Sequence, residues 1–184
     1  MAYKIKTEPA TEPVTVAELK NHLRVTESDE DTIITSYGKV ARRVIEKRLN
    51  RSLITTTWEL YLDFFPANEI EINRYPVIAV SEIAYTDTDG SADTFASFQL
   101  DNIQTPARLY PTFDEDWPDT KDVINAVKIT FTAGYGAAAL VPEEFKGLIK
   151  LIVGHLYENR GDEGHKTLSK TVDMLIDLYY PYSV

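Results

Sequence analysis

The feature that most constrains this 184-residue sequence is a hydrophobic period that changes twice along the chain. Apolar residues recur at three- and four-residue steps from about Ser28 to Leu49, alternate from about Ser52 to Phe131, and return to the helical spacing after Pro142. A period near 3.6 is typical of an amphipathic helix, and a period of 2 is typical of a strand with one buried face. We therefore predict an α+β fold, with a small helical bundle from the N- and C-terminal segments and an antiparallel β-rich insertion between them.

These periods predict one domain over residues 1–184, with helices in 13–50, the β-rich insertion in 52–135 and helices in 142–180. A chain of this length can bury a full core without disulfides or metals. The first eight residues have no clear pattern, and we expect them to lie outside the regular structure.

The N-terminal third predicts two helices. Thr15 and Glu18 have the spacing of a capping box, so a short helix is expected from there to about Leu23. A second helix is expected after Ser28, where three acidic residues suit the positive end of the helix dipole. Its predicted buried side consists of Ile33, Ile34, Tyr37, Val40, Ala41, Val44, Ile45 and Leu49. The basic residues between them are expected on the solvated side, namely Lys39, Arg42, Arg43, Lys47 and Arg48.

The middle third predicts strands with one solvent-exposed face. Alternating residues mark them from Trp58 to Phe64, at Ile70 and Ile72, and from Val127 to Phe131, and another strand is expected from Val77 to Tyr85. Asp89-Gly90 predicts a hairpin turn, followed by a return strand through Phe95, Phe98 and Leu100. The polar stretch from Asp101 to about Asp122 is expected to be a loop with one short strand at Arg108 to Tyr110.

The C-terminal third predicts a central helix and a short amphipathic one. Pro142 suits a helix start, and the apolar residues that follow it cover most of a helix circumference. Val172, Leu175, Ile176 and Tyr179 have the spacing of one helix face. The terminal tyrosines, among them Tyr180, are residues that favour protein interfaces, although packing within their own domain explains them equally well.

Charge and cysteine content narrow the possible functions. Of the formal net charge of −10, residues 51–136 contribute −9, from 5 basic and 14 acidic groups. A surface of that sign repels phosphate and disfavours direct nucleic-acid binding. The absence of cysteine is typical of a protein made in a reducing cytoplasm, and no apolar run has the length of a membrane span.

The sequence predicts no catalytic residues, no cofactor and no metal site. The three histidines lack metal-ligand spacing, and there is no glycine-rich phosphate loop. Asp114, Glu115 and Asp116 form an acidic loop, but adjacent carboxylates in a wet loop bind Ca²⁺ or Mg²⁺ weakly without backbone ligands around them.

Six short motifs occur in a fixed order along residues 13–160. They are PVTVAELKNHLRV at 13–25, SDED at 28–31, LITTTWEL at 53–60, FTAGYG at 131–136, VPEE at 141–144 and HLYENR at 155–160. This ordered set resembles the head-tail connector (adaptor, head completion) proteins of long-tailed bacteriophages and prophages. The similarity is looser beyond Arg160.

The resemblance implies a structural virion protein that forms a ring, typically of about twelve copies. Such a ring docks on the phage portal protein, meets a tail-side connector protein, and extends a channel through which DNA passes without specific binding. The expected location is the virion, and the bacterial host cytoplasm during assembly. In such proteins the C-terminal segment commonly reaches the portal, so the implied portal interface is Val172, Leu175, Ile176, Tyr179 and Tyr180. The family has no catalytic residues to transfer.

Two other functions remain open from the residues alone. One is a non-enzymatic phage domain that binds a ligand or carbohydrate through the β insertion, which a pocket centred on Trp117 would favour. The other is a carboxylate-metal hydrolase that uses Asp114, Glu115 and Asp116, which a tightly bound divalent ion would favour.

Overall fold

The computed structural model describes residues 1–160 and 170–179, and it divides the chain into two compact units. The first, the β unit, consists of Met1–Pro9 and Thr55–Gly134. The second, the helical unit, consists of Ala10–Ile54 and Tyr135–Val184. Helices therefore come from both ends of the sequence and strands mainly from its middle, which confirms the predicted α+β class with a β-rich insertion.

The helical unit contains four described helices: α1 (Val16–Leu23), α2 (Asp31–Leu49), α3 (Glu143–Glu158) and α4 (Lys170–Leu178). A 3-10 turn at Ala138–Leu140 precedes α3. The predicted capping box is confirmed, because the Thr15 hydroxyl accepts a hydrogen bond from the Glu18 backbone N–H and the Thr15 N–H donates to the Glu18 carboxylate at 2.8 Å. Pro142 stands at the N-cap of α3, with two glutamates in its first turn.

One continuous core joins these helices. Its buried residues include Leu19 from α1, Ile45 from α2, Ile149 from α3 and Ile176 from α4. In α2 the buried stripe is narrower than the sequence predicts, because Ile33 and Val40 are exposed at its flank. The stripe runs through Ile34, Gly38, Ala41, Ile45 and Leu49 at three- and four-residue steps.

The β unit contains two antiparallel sheets. The strands are β1 (Ala2–Thr7), β2 (Thr56–Leu62), β3 (Ile70–Ile72), β4 (Val77–Thr86), β5 (Ala92–Thr94), β6 (Phe98–Asp101), β7 (Ala107–Pro111) and β8 (Val127–Ala133). The larger sheet has the order β1-β2-β8-β4-β5 and the smaller one β3-β7-β6. Their inner faces share a core that includes Leu60, Ile72, Leu109 and Phe131.

Three sequence expectations about strands are wrong. Residues 2–7 form an edge strand instead of an irregular arm, because Tyr3 and Ile5 alternate with lysines and pack against the β core. The strand after the hairpin turn is short: β5 pairs with β4, whereas Phe98 and Leu100 lie in β6 and pair with β7 in the other sheet. In addition, β2 ends at Leu62, which leaves Phe64 exposed.

Candidate functional site

Formal charge is divided very unevenly between the two units. Within the bounds given above, the β unit carries 6 basic and 15 acidic residues, whereas the helical unit carries 13 and 14. The formal charges are therefore −9 and −1. Acidity is a property of the β unit, and any electrostatic role of the protein depends on where that unit lies.

The acidic loop lies between β7 and β8, and Trp117 anchors it to the β unit. The Trp117 ring stacks on Phe65 with centroids 5.0 Å apart, and its Nε1 donates to the Asn68 carbonyl oxygen at 2.7 Å. Asp114, Glu115 and Asp116 are exposed on the solvent side of this anchor. Among residues 1–160 and 170–179, no three His, Asp or Glu side chains come together as a possible metal site.

Large apolar side chains are exposed at the same end of the β unit. Phe64 follows β2, while Val123 and Ile124 precede β8, and the paired ends of these two strands are adjacent. A hydrogen bond of 2.8 Å from the Asn125 N–H to the Asp63 carboxylate holds the two segments together. Phe113 projects from the loop that Trp117 anchors, and its side chain is 88% exposed. We call Phe64, Phe113, Val123 and Ile124 the tip surface.

The outward side of α2 is basic. Lys39, Arg43, Lys47 and Arg48 are exposed, as the sequence predicts, and Arg48 pairs with Asp173 of α4. Val40 is exposed among them. We call Ile33, Lys39, Val40, Arg43 and Lys47 the α2 face.

Arg42 departs from this pattern, and its predicted solvation is wrong. Its side chain is 4% exposed and lies between two carboxylates. Its Nε donates to Glu12 at 2.8 Å and its Nη1 donates to Glu46 at 2.7 Å. Glu46 also accepts the Leu53 backbone N–H at 2.8 Å. Glu12 lies 30 positions away in sequence, so helical periodicity contains no signal for this partner.

The pKa values in this trio reflect two carboxylates sharing one guanidinium. Burial raises the pKa of Glu46, and the neighbouring charge of Glu12 adds to that effect, although Arg42 and the Leu53 N–H oppose it. Burial lowers the pKa of Arg42, but its hydrogen bond to Glu12 and the charge of Glu46 outweigh that effect, so the net shift is upward. The guanidinium therefore stays charged, and the trio ties the 10–15 segment to α2 and to the residues that follow it.

Three of the five residues predicted for portal contact lie in α4, and Tyr179 directly follows that helix. Val172 and Ile176 are 1% and 2% exposed and belong to the core of the helical unit. Leu175 and Tyr179 are partly buried against the same core, where the Tyr179 ring lies 5.5 Å from that of Phe145. Tyr180 lies outside the described residues. The exposed apolar side chains of α4 are Met174 and Leu178.

A polar cluster that the sequence did not predict joins the start of α2 to the end of α3. Tyr157 donates its hydroxyl hydrogen to Glu30, Arg160 donates to the same carboxylate at 2.6 Å, and the guanidinium lies 3.9 Å from the centre of the Tyr157 ring. The hydrogen bonds from Tyr157 and Arg160 lower the pKa of Glu30. The cluster brings together two of the sequence motifs, SDED at 28–31, which contains Glu30, and HLYENR at 155–160.

Comparison with known proteins identifies the family. Residues 13–116 match the family model described as phage gp6-like head-tail connector protein. The chain belongs to this family. The resemblance read from the sequence motifs is thereby confirmed. No curated protein matches the chain.

Solved structures resemble this connector over its full length. A chain in the neck of an empty gene transfer agent (GTA) particle, computed with C6 symmetry, has a TM-score of 0.83 at 24% identity. A chain in the virion of a native GTA particle has a TM-score of 0.82 at 24% identity, and one in a native GTA neck computed with C12 symmetry has 0.80 at 23%. Each match covers 100% of the connector and 97% of the solved chain. The shared feature is the fold.

The geometry also bears on the two other functions left open by the sequence. Trp117 packs into an aromatic cluster with Phe65 and Phe95, so its ring serves the stability of the β unit. The carboxylates at 114–116 are exposed neighbours on one loop.

Within the part of the connector that the structure describes, no helix is long and apolar enough to cross a membrane.

Proposed function

We propose that this connector is a structural virion protein whose copies form a ring of about twelve subunits in the neck of a phage or prophage particle. The ring docks on the portal protein and extends the DNA channel toward a tail-side connector, after assembly in the bacterial host cytoplasm. The observation that carries the proposal is the family match over residues 13–116. The full-length likeness to neck proteins in structures computed with C6 and C12 symmetry supports a ring.

The charge distribution suits a DNA channel. Twelve copies would carry about −120 formal charges, nearly all of them on the β units. Phosphates are held in place by cationic contacts, so an acidic wall lets DNA slide past without adhering. The proposed role is passive, and it requires neither a base-reading surface nor a catalytic residue.

The portal contact is proposed to involve α4, as the resemblance implies. Val172 and Ile176 hold the helix on the core, so they orient the contact and do not supply its area. Leu175 and Tyr179 are available in part, and Met174 and Leu178 provide exposed apolar surface on the same helix. Exposed methionine and leucine beside a tyrosine form a surface that can bury well against a partner protein.

Ring formation can be tested by measuring particle mass in solution and by negative-stain images, with the protein alone and with purified portal protein. We expect a closed ring, either free or bound to the portal. A chain that stays monomeric at high concentration and also fails to bind the portal would contradict the proposal.

The α4 contact has its own test. Met174→Ser together with Leu178→Ser should leave the far-UV circular dichroism unchanged, because both side chains are exposed, and should weaken portal binding. Deletion of the residues after Asp177 should abolish binding, although it also removes the contact of Tyr179 with Phe145. The matched control is Leu140→Ser, an exposed apolar residue of the 3-10 turn. If binding is unchanged in both α4 variants, as it should be in the control, α4 is not the portal interface.

A further inference from the structure

The tip surface is an apolar patch without a partner in its own unit. Phe113 and Ile124 are 88% and 84% exposed, and Phe64 and Val123 lie at the same end of the β unit. Single exposed apolar residues are ordinary on protein surfaces, but several converging on one end are typical of an interaction site. Leu60 and Phe131 are buried in the core of the β unit, while Met1, Ile78 and Ile103 are exposed outside the tip surface.

The charges beside this patch restrict what can cover it. Asp114, Glu115 and Asp116 directly follow Phe113 and are exposed. A partner must therefore offer apolar side chains together with positive charge. Nucleic acid has the wrong sign, and a second tip surface would bring like charges together.

The α2 face of the same protein has the complementary composition. Ile33 and Val40 are exposed and lie seven residues apart, which places them on one side of the helix. Lys39, Arg43 and Lys47 are exposed along the same side. Apolar residues flanked by lysine and arginine match apolar residues flanked by aspartate and glutamate.

We propose that the tip surface of one subunit docks on the α2 face of a second copy. This inference rests on the proposed ring and specifies the contact that builds it. The two surfaces differ, so the contact is heterologous, and repeating such a contact around an axis generates a ring. Every copy carries both surfaces, so no additional protein is needed to join neighbours.

Cross-linking between single-cysteine variants tests the contact directly, because the chain has no cysteine of its own. Phe113→Cys and Val40→Cys are purified separately, mixed, and treated with a short bis-maleimide. We expect the mixed product to exceed either homodimer. The matched control uses Leu151→Cys on α3 in place of Val40→Cys, because Leu151 is 40% exposed and Val40 is 44% exposed. Equal yields from the two mixtures would overturn the proposed contact.

Charge reversal supplies a second test that a folding defect cannot imitate. Glu115→Lys with Asp116→Lys makes the tip basic, and Lys39→Glu with Lys47→Glu makes the α2 face acidic. Each variant alone should assemble at least tenfold more weakly than the unaltered protein, and an equimolar mixture should recover assembly because opposite charges then meet at every contact. Glu71→Lys with Glu82→Lys, in the middle of β3 and β4, is the control with the same change in charge and should assemble normally.

The outcomes of these experiments distinguish a failure of the proposed contact from a failure of the proposed ring. Rings that form normally in both reversed variants, without the 113–40 cross-link, would overturn the contact and leave the ring in place. An unaltered protein that neither assembles, with or without portal protein, nor yields the 113–40 cross-link would overturn both. Recovery on mixing would support both.

Discussion

Replacing Arg42 with methionine should destabilise the helical unit strongly. The change removes the cation that lies 2.8 Å from Glu12 and 2.7 Å from Glu46, while methionine fills much of the same space. Breaking a buried ion pair by removing one partner costs roughly 3–5 kcal/mol, because a buried charge is left uncompensated. The Glu12 side chain is 22% exposed and can regain water, so we expect the low end of that range, about 3 kcal/mol.

The loss of stability should depend on pH with a defined sign. The pKa of Glu46 is already raised in the folded protein by burial, and loss of the guanidinium raises it further. Between the unfolded and the folded pKa, the native state binds more protons than the unfolded state, so stability falls as pH rises through that window. The cost of Arg42→Met should therefore be larger at about pH 8 than at acidic pH, where protonation of Glu46 removes the uncompensated charge.

The measurement is urea unfolding followed by far-UV circular dichroism, because all described α-helices lie in the helical unit. Lys47→Met is the matched control: it removes an exposed cation from the same helix and should change the free energy of unfolding by less than about 0.5 kcal/mol. Arg42→Lys should fall between the two, since an ammonium group cannot bridge both carboxylates as a guanidinium does. If Arg42→Met resembles Lys47→Met at both pH values, the trio does not stabilise the fold.

Three further predictions concern single positions. Gly147→Ala should stabilise α3 by about 0.5–1 kcal/mol, because an added Cβ meets nothing within 4 Å. Gly38→Ala should stabilise α2 by less, because its Cβ would lie 3.0 Å from a buried leucine, and thermal unfolding of the two variants measures the difference. Thr15→Ala should lower the free energy of unfolding by about 1 kcal/mol through loss of the cap. The hydrogen bonds of Thr15 lower the pKa of Glu18, so this loss of stability should become smaller in acid as Glu18 protonates. An equal loss at all pH values would contradict the prediction. Tyr3→Phe should cost about 1 kcal/mol, since the Asn73 N–H loses its acceptor, and tryptophan fluorescence in urea would show it.

Local signals in the sequence predicted most of the secondary structure. Capping residues act within one helical turn, so Thr15 and Glu18 were enough to place the start of α1. Alternation identified β2, β3 and β8 because one face of each is buried. The short strand at 108–110 was also predicted, within the bounds of β7.

The errors share a physical origin in contacts between residues distant in sequence. Periodicity shows which residues face inward but not which element covers them. It could not reveal that residues 2–7 pair with β2, nor that Phe98 leaves the sheet of β4 for that of β7. The same limit applies to the tip surface, whose members come from separate loops.

The sequence by itself determined the α+β class, the order of the helices and of most strands, the acidity of the middle segment and the family motifs, because each of these depends on composition or on neighbours within a few residues. Only the tertiary structure decided that Arg42 is buried between Glu12 and Glu46, that Val172 and Ile176 face the core, and that the acidic loop lies beside exposed apolar residues. These outcomes depend on which surfaces meet when the chain folds, and local sequence signals do not show which charged or apolar side chains that folding buries.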